Sequence, residues 1–236
     1  MPGRTRRGKA LIRSTDATSA TEFALILPAL LLMLLAGVQV VQFIDASRKV
    51  ERVANSISQM ISQATPPNQS STDASVTAQD IHFSYDAAMV IFPFLMRDAV
   101  QKGKSWWQDI SINYASIQFT QTGTGCGSNA DQSSCYAAKV LWTSTGTTGG
   151  QYRPCLLPQL PAPDTSPTSP NTLPKSLFGP GSIIAIDVSF AFVPSIGARF
   201  LPSVTIARSV YVQPRYANVI NFDTTNNDGI VSKCLI

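Results

Sequence analysis

Few side chains in this 236-residue sequence could perform catalysis or bind a metal, because it contains one histidine and four cysteines. A Ser-His-Asp hydrolase would have to use His82, whose neighbours predict a strand or the edge of a core. The segment 223–229 matches a calcium-binding loop only in part, since Thr224 and Leu235 occupy its first and twelfth positions, where carboxylates are needed. No P-loop or zinc-protease motif is present. We therefore predict no catalytic, cofactor-binding or metal site, no cofactor and no small-molecule substrate.

The four cysteines are the residues best suited to covalent cross-linking of the fold. An even number of cysteines in a domain outside the cytoplasm predicts two disulfides, and four cysteines allow three connectivities. We favour Cys126–Cys135, which would close a loop rich in Gly, Ser and Asn, together with Cys155–Cys234, which would join a proline-rich loop to the C-terminus. A zinc site is the alternative, but no C-x2-C spacing or nearby histidine supports it.

The positive charge of the chain is concentrated at its N-terminus. The formal net charge is +4, and five basic residues lie within the first thirteen positions: Arg4, Arg6, Arg7, Lys9 and Arg13. Without them, 13 basic and 14 acidic residues remain. A nucleic-acid-binding domain needs Lys and Arg clustered on one folded face, and no such cluster follows residue 52. We therefore predict no nucleic-acid partner.

Residues 23–44 form an uncharged apolar run of 22 residues. As a helix this run would be about 33 Å long, enough to cross a hydrocarbon core of about 30 Å. The basic residues before it predict a cytoplasmic N-terminus and a C-terminal domain outside the cytoplasm. A cleaved signal peptide is the alternative, although its apolar region should be only about 7–15 residues long.

The helix is predicted to continue beyond the membrane, from about Ser19 to Ala64. Apolar residues recur at three- and four-residue steps along its second half, at Val50, Val53, Ile57, Met60, Ile61 and Ala64. This stripe has two interpretations that the sequence leaves open. It could pack on the protein's own domain, or it could form a stalk with the same helices of neighbouring subunits.

The apolar run opens with the block Glu-Phe-Ala-Leu-Ile-Leu-Pro, at residues 22–28. A carboxylate directly before a membrane helix is unusual. Ser19 and Glu22 have the spacing of a capping box, and Glu22 would also lie at the positive end of the helix dipole. Alternatively, Glu22 faces a partner helix and sets the register of an assembly. The block predicts that Glu22, Phe23 and Pro28 take part in assembly, with Pro28 in the first turns of the helix.

This block, placed after a short basic tail and before a leucine run, resembles the TadE/TadG-like family of bacterial tight-adherence (Tad, Flp-type) pilus systems. The resemblance implies a non-enzymatic structural component, either a minor pseudopilin or an assembly factor. It implies a single-pass protein of the bacterial inner membrane whose N-terminal helix contacts pilin or pilus-machine subunits. Two alternatives remain: an anchored extracytoplasmic hydrolase, and a secreted adhesin-like binding domain with a cleaved signal.

The remainder of the chain predicts a small α+β domain. Residues 86–101 are apolar and could be helical, although Pro93 interrupts them. Alternating apolar residues predict strands at 110–119, with a bulge after Tyr114, and at 137–143. The strongest strands, 182–192 and 204–212, should pair antiparallel in one sheet. Trp106 and Trp107 predict either a core or sheet-edge role or an interfacial anchor.

A proline-rich loop spans residues 143–180 and carries eight prolines from Pro154 to Pro180. We expect a rigid extended insertion there, with a ligand for a proline-binding domain as the alternative. The predicted organisation is a cytoplasmic tail at 1–21, a transmembrane helix at 22–44, an amphipathic extension at 45–64 and an extracytoplasmic domain at 65–236.

Overall fold

The computed structural model describes residues 15–123, 131–194 and 202–234. The chain divides into two compact units. One comprises Met1–Asp45 with Val193–Pro202, and the other comprises Ala46–Phe192 with Ser203–Ile236. We call the second the globular unit. The α+β class predicted from the sequence is confirmed, since a long N-terminal helix is followed by a five-stranded antiparallel sheet.

Helix α1 runs from Thr15 to Ser62 and is 48 residues long. It begins four residues earlier than predicted, so Ser19 and Glu22 lie inside the helix and the capping box predicted for them is wrong. Pro28 likewise lies in the fourth turn rather than in the first turns. Because proline lacks an N–H group, the carbonyl of Ala24 has no amide donor four residues ahead.

In the described part of the globular unit, three shorter α-helices follow: α2 (Ala78–Ile91), α3 (Phe94–Gln101) and α4 (Trp106–Asp109). Thr77 caps α2, accepting a hydrogen bond from the backbone N–H of Asp80, whose carboxylate in turn accepts one from the N–H of Thr77. Pro93 separates α2 from α3, as its position in the sequence predicted. The segment 86–101 is therefore helical but broken at its proline.

The described residues form nine strands: β1 (Asp73–Val76), β2 (Ile110–Gln121), β3 (Tyr136–Ser144), β4 (Leu160–Ala162), β5 (Thr172–Pro174), β6 (Gly181–Phe192), β7 (Val204–Val212), β8 (Val219–Phe222) and β9 (Val231–Lys233). The main sheet is antiparallel and has the order β7-β6-β2-β3-β9. The antiparallel pairing of β6 with β7 is the one predicted from the sequence.

The irregularity predicted after Tyr114 lies in a different strand. Strand β2 pairs with β6 without interruption, so β2 itself has no bulge. Against β3, however, Ser116 pairs with Trp142 and Ile117 with Val140, which leaves Leu141 of β3 as the extra residue. The alternation of apolar residues in β2 shifts by one position after Tyr114. Both faces of this central strand are buried, so its apolar residues need not alternate.

The bulge at Leu141 directs Trp142 to the face of the sheet opposite to Val140. On that face the Trp142 indole N–H donates to the Ile220 carbonyl of β8 at 2.8 Å. Helix α2 covers the same face, where the ring centroids of Tyr85 and Tyr114 are 5.4 Å apart. Strands β1 and β8 form a separate parallel pair.

The proline-rich loop covers the other face. Its residues Leu173 and Phe178 are buried against Ile117 and Phe119 of β2 and against neighbouring residues of β3 and β6. The loop is not extended throughout, since β4 and β5 pair in parallel within it and a short 3₁₀ turn follows at Lys175–Leu177. It therefore forms one wall of the core. Pro161 and Pro174 lie in the two-stranded pair, where both strands are edges, and the other prolines of the loop lie outside strands.

Candidate assembly surface

The N-terminal part of α1 is exposed on all sides. Every residue from Thr21 to Leu34 is exposed, including Glu22, Phe23 and Pro28. Among the described residues, α1 provides the one helix long and apolar enough to cross a membrane, with a mean hydropathy of 2.5 in its most apolar window. None of that window is buried. An apolar surface of this length needs lipid or other helices around it, and α1 is a single-pass membrane anchor.

The three predicted assembly residues do not share one side of α1. Each residue turns the helix by about 100°, so Phe23 lies about 100° and Pro28 about 120° from Glu22 around the axis, and the three residues point to different sides. Glu22 instead heads a row with Ile26, Ala29 and Met33, at steps of four, three and four residues. This row, named here the Glu22 row, presents one carboxylate followed by apolar and small side chains.

The second half of α1 belongs to the globular unit, and its apolar stripe is buried there. Val50, Val53, Ala54 and Ile57 have no exposed surface. Met60 departs from the prediction, since 41% of it is exposed. Of the two interpretations left open by the sequence, the structure supports packing on the protein's own domain, because a buried stripe cannot contact a neighbouring subunit.

Polar contacts also hold this half of α1. The Arg208 guanidinium of β7 donates to Ser47 Oγ at 2.8 Å, and the Arg215 side chain donates to Gln59 Oε1. The backbone N–H of Arg215 also donates to the carbonyl of Ser62 at 3.0 Å. The face that remains exposed is polar and consists of Arg48, Glu51, Arg52, Asn55 and Gln59.

A disulfide joins Cys155 to Cys234 with their Cα atoms 5.2 Å apart. This is the pairing proposed from the sequence, and it connects the proline-rich loop to the residue that follows β9. Cys135 is also disulfide-bonded. Its proposed partner, Cys126, lies outside the described residues.

A buried ion pair also fixes the proline-rich loop, and the sequence analysis missed it. Arg153 Nε lies 2.8 Å from Asp187 Oδ2, and Arg153 Nη2 lies 3.2 Å from Asp187 Oδ1. Arg153 also donates to Gln159 Oε1 at 2.6 Å and to the Thr172 carbonyl at 3.0 Å. The arginine is buried, and its five donors are matched by acceptors from the loop, from β6 and from the Tyr211 hydroxyl of β7, which lies 3.1 Å from Nη2. An acidic residue in the middle of the apolar strand β6 was the available signal.

A second buried charge cluster joins α3, α4 and β6. Lys102 Nζ lies 2.5 Å from Asp98, 2.7 Å from Asp109 and 2.6 Å from the carbonyl of Ala191. Burial raises the pKa of Asp109, with a further increase from Asp98, while the hydrogen bond from Lys102 opposes the shift. The ammonium group of Lys102 thus pairs with two carboxylates, those of Asp98 and Asp109.

His82, the residue that a hydrolase would need, lies half exposed on α2, so the predicted position in a strand or at the edge of a core is wrong. Its Nε2 is 2.7 Å from Asp228 Oδ2, and both side chains are about half exposed. The hydrogen bond from His82 lowers the pKa of Asp228. Asp228 also accepts from the backbone N–H of Ile230 in a turn where Gly229 has a φ of 91°. This pair links α2 to the turn, and no group of three or more metal-ligating side chains occurs among the described residues.

Residues 17–57 match the model of the TadE-like protein family. The match contains the whole 22–28 block and extends into the part of α1 that is buried in the globular unit. The resemblance predicted from the sequence is therefore confirmed for this segment. No curated protein and no solved structure gives a significant match to the chain.

Proposed function

We propose that this chain is a non-enzymatic, membrane-anchored structural component of a bacterial Tad-type pilus assembly system, acting as a minor pseudopilin or an assembly factor. The observation that carries the proposal is the TadE-like match over residues 17–57. The matched segment includes the exposed, apolar part of α1, which is the surface that a membrane-embedded machine would contact.

The division of α1 supports this function. Its second half is occupied by contacts within the globular unit, so the fold leaves residues 21–44 for helix–helix contacts. We infer that other pilin or pilus-machine subunits pack on this segment inside the cytoplasmic membrane. Close packing between membrane helices favours small residues, and the Glu22 row contains Ala29.

The carboxylate of Glu22 is the polar feature of this surface. A charged side chain within or at the edge of a bilayer is costly unless it finds a counter-charge or a hydrogen-bond donor. We infer that a donor on a partner helix supplies this contact and thereby fixes the register between the two subunits. Phe23 and Pro28 lie on two other sides of the helix, where we infer contacts with further subunits.

The disulfide supports an extracytoplasmic position for the globular unit, because disulfides persist in oxidising compartments. We place the N-terminus in the cytoplasm, the anchor in the inner membrane and the globular unit in the periplasm. The contacts of His82 with Asp228 and with the edge of Tyr85 add nothing in favour of a hydrolase.

Site-specific photo-cross-linking in a strain that assembles the pilus tests this proposal. A photoreactive residue at Ile26, in the Glu22 row, should cross-link to a membrane-helix subunit of the pilus machine. The same probe at Asn55, on the exposed polar face within the globular unit, is the matched control and should give that product much more weakly. Cross-linking from Ile26 to lipid alone, or to membrane proteins unrelated to the pilus, would contradict the proposed function.

A further inference from the structure

One end of the globular unit carries a group of exposed apolar side chains. We call it the apolar end surface and define it by Val90, Met96, Val100, Trp107 and Val204. Val90 is 84% exposed and Val100 is 76% exposed. Single exposed apolar residues are normal on a protein surface, but several at one end mark a contact site.

Contacts within the unit place the elements that carry these residues at the same end of the main sheet. The ring centroid of Phe92, which directly follows α2, lies 5.3 Å from that of Phe190 near the end of β6. Helix α4 leads directly into β2 at Ile110, which pairs with Phe190 near the end of β6. Val204 begins β7 opposite Phe192, the last residue of β6. Lys102, at the end of α3, reaches the Ala191 carbonyl, so α3 lies at this end as well.

The charged groups around this surface are mainly basic. Arg97, Lys104 and Arg208 are exposed, and the Arg97 guanidinium lies 5.4 Å from the ring centroid of Phe94. The nearby carboxylates of Asp98 and Asp109 are buried against Lys102. The exposed carboxylates nearest to this surface are Asp86, one helical turn before Val90, and Asp45 and Glu51, which lie on α1 close to Arg48 and Lys49. The surface therefore combines apolar side chains with a positive rim.

The chain limits how far this end can lie from the bilayer. Ser47 accepts a hydrogen bond from Arg208, and Lys49 Nζ lies 5.8 Å from the ring centroid of Phe92. These residues follow Ile44, the last residue of the apolar run, by three and five positions. Five residues span at most about 18 Å even when fully extended. Lipid headgroups are therefore within reach of residues that contact Arg208 and Phe92.

We propose that the apolar end surface docks on the surface of the membrane, in contact with anionic lipids. Tryptophan and aliphatic side chains partition into the interfacial region of a bilayer, and Arg and Lys bind lipid phosphates. Trp107 and Val100 enter the interface, while Arg97 and Lys104 bind the headgroups. This assigns Trp107 the role of an interfacial anchor. The inference depends on the membrane anchor and is independent of the pilus role.

Tryptophan quenching by brominated lipids tests the docking. The full chain is reconstituted in nanodiscs of phosphatidylethanolamine and phosphatidylglycerol, with or without bromine on the acyl chains. Trp106→Phe retains Trp107 and the fully buried Trp142, whereas Trp106→Phe/Trp107→Phe retains Trp142 alone. We expect bromine to reduce the emission of the first variant and to leave that of the second unchanged.

The basic rim has a matched control. Arg97→Gln/Lys104→Gln, made in the Trp106→Phe background, should lose much of the quenching. Lys139→Gln/Lys233→Gln removes the same charge at exposed positions on β3 and β9 and should retain the quenching.

Two results would overturn the proposal. Equal emission from Trp107 with and without bromine, combined with quenching by aqueous acrylamide, would show that the surface faces water. Equal emission combined with protection from acrylamide would show that a second copy or another protein covers it.

Discussion

Glu22 is a carboxylate in a stretch of helix whose following 22 residues carry no charge. It lies in the second turn of α1, beyond the N-cap, and it is exposed. Helix capping therefore does not account for an acidic residue there. The dipole can still favour a negative charge near a helix N-terminus, but that effect is small and decays within the first turn. The proposed contact with another subunit would account for it.

Replacing Glu22 tests that explanation. Gln keeps the shape and the hydrogen-bonding capacity of the side chain but removes its charge, so insertion of α1 should be unaffected. We predict that Glu22→Gln leaves the amount of protein in the membrane near the wild-type level and sharply lowers piliation, measured by electron microscopy and by co-purification of machine subunits. Glu51→Gln changes an exposed carboxylate of α1 within the globular unit and serves as the control. Normal piliation in Glu22→Gln would leave the residue without an assembly role.

The buried ion pair of Arg153 and Asp187 is also a feature at the residue scale, and it affects stability rather than assembly. Removing one partner of a buried ion pair leaves an uncompensated charge and typically costs about 3–5 kcal/mol. We predict a loss of this size for Asp187→Asn, measured by guanidinium unfolding of the detergent-solubilised chain and followed by the fluorescence of Trp142. Asp131→Asn removes a carboxylate that forms an exposed pair with Lys175 and should change the midpoint very little. Equal effects of the two substitutions would contradict the structural role of the buried pair.

At the scale of elements, the sequence predicted the structure best where a pattern of residues has a single physical explanation. The apolar run and the stripe after it predicted α1, and β-branched residues predicted the pairing of β6 with β7. The bulge was assigned to β2 because alternation in the sequence reports burial on one face, whereas β2 is buried on both. The wall formed by the proline-rich loop depends on Arg153 and Asp187, which are 34 residues apart. No local pattern connects them.

The buried cluster of Lys102, Asp98 and Asp109 leads to a prediction about how stability depends on pH. The pKa of Asp109 is raised in the folded protein from its ordinary value of 3.8. The folded state therefore binds more protons than the unfolded state above that pH. The contribution of this group to stability is complete below pH 3.8 and is lost as the pH rises through the raised pKa.

Asp109→Asn imitates the protonated form and removes this dependence. We predict that Asp109→Asn becomes more stable relative to wild type as the pH rises from about 4 to about 7, so that its free energy of unfolding, measured by guanidinium unfolding at several pH values, increases relative to that of wild type. Asp86→Asn, at an exposed position of α2, should show no such trend. A constant difference between Asp109→Asn and wild type across this range would mean that Asp109 titrates normally.

At the scale of the whole molecule, the proposed topology places the anchor in the membrane and the globular unit in the periplasm. The basic residues before the anchor predict a cytoplasmic N-terminus. Alkaline phosphatase fused after Ile236 should therefore be active, and a reporter that functions only in the cytoplasm should be inactive at the same position. A fusion after Arg13, before the apolar run, is the matched control and should give the opposite pattern. Reversed activities would overturn the proposed topology and, with it, the periplasmic position of the globular unit.

The central claim is that this chain is a structural part of a Tad-type pilus machine. Deleting its gene in a strain that assembles such a pilus, and counting surface pili by electron microscopy, tests the claim most directly. Immunoblots for the other machine proteins control for indirect loss. We predict that the deletion abolishes or strongly reduces piliation, and that the full chain supplied in trans restores it. Wild-type piliation in the deletion strain, with the other machine proteins at normal levels, would contradict the account.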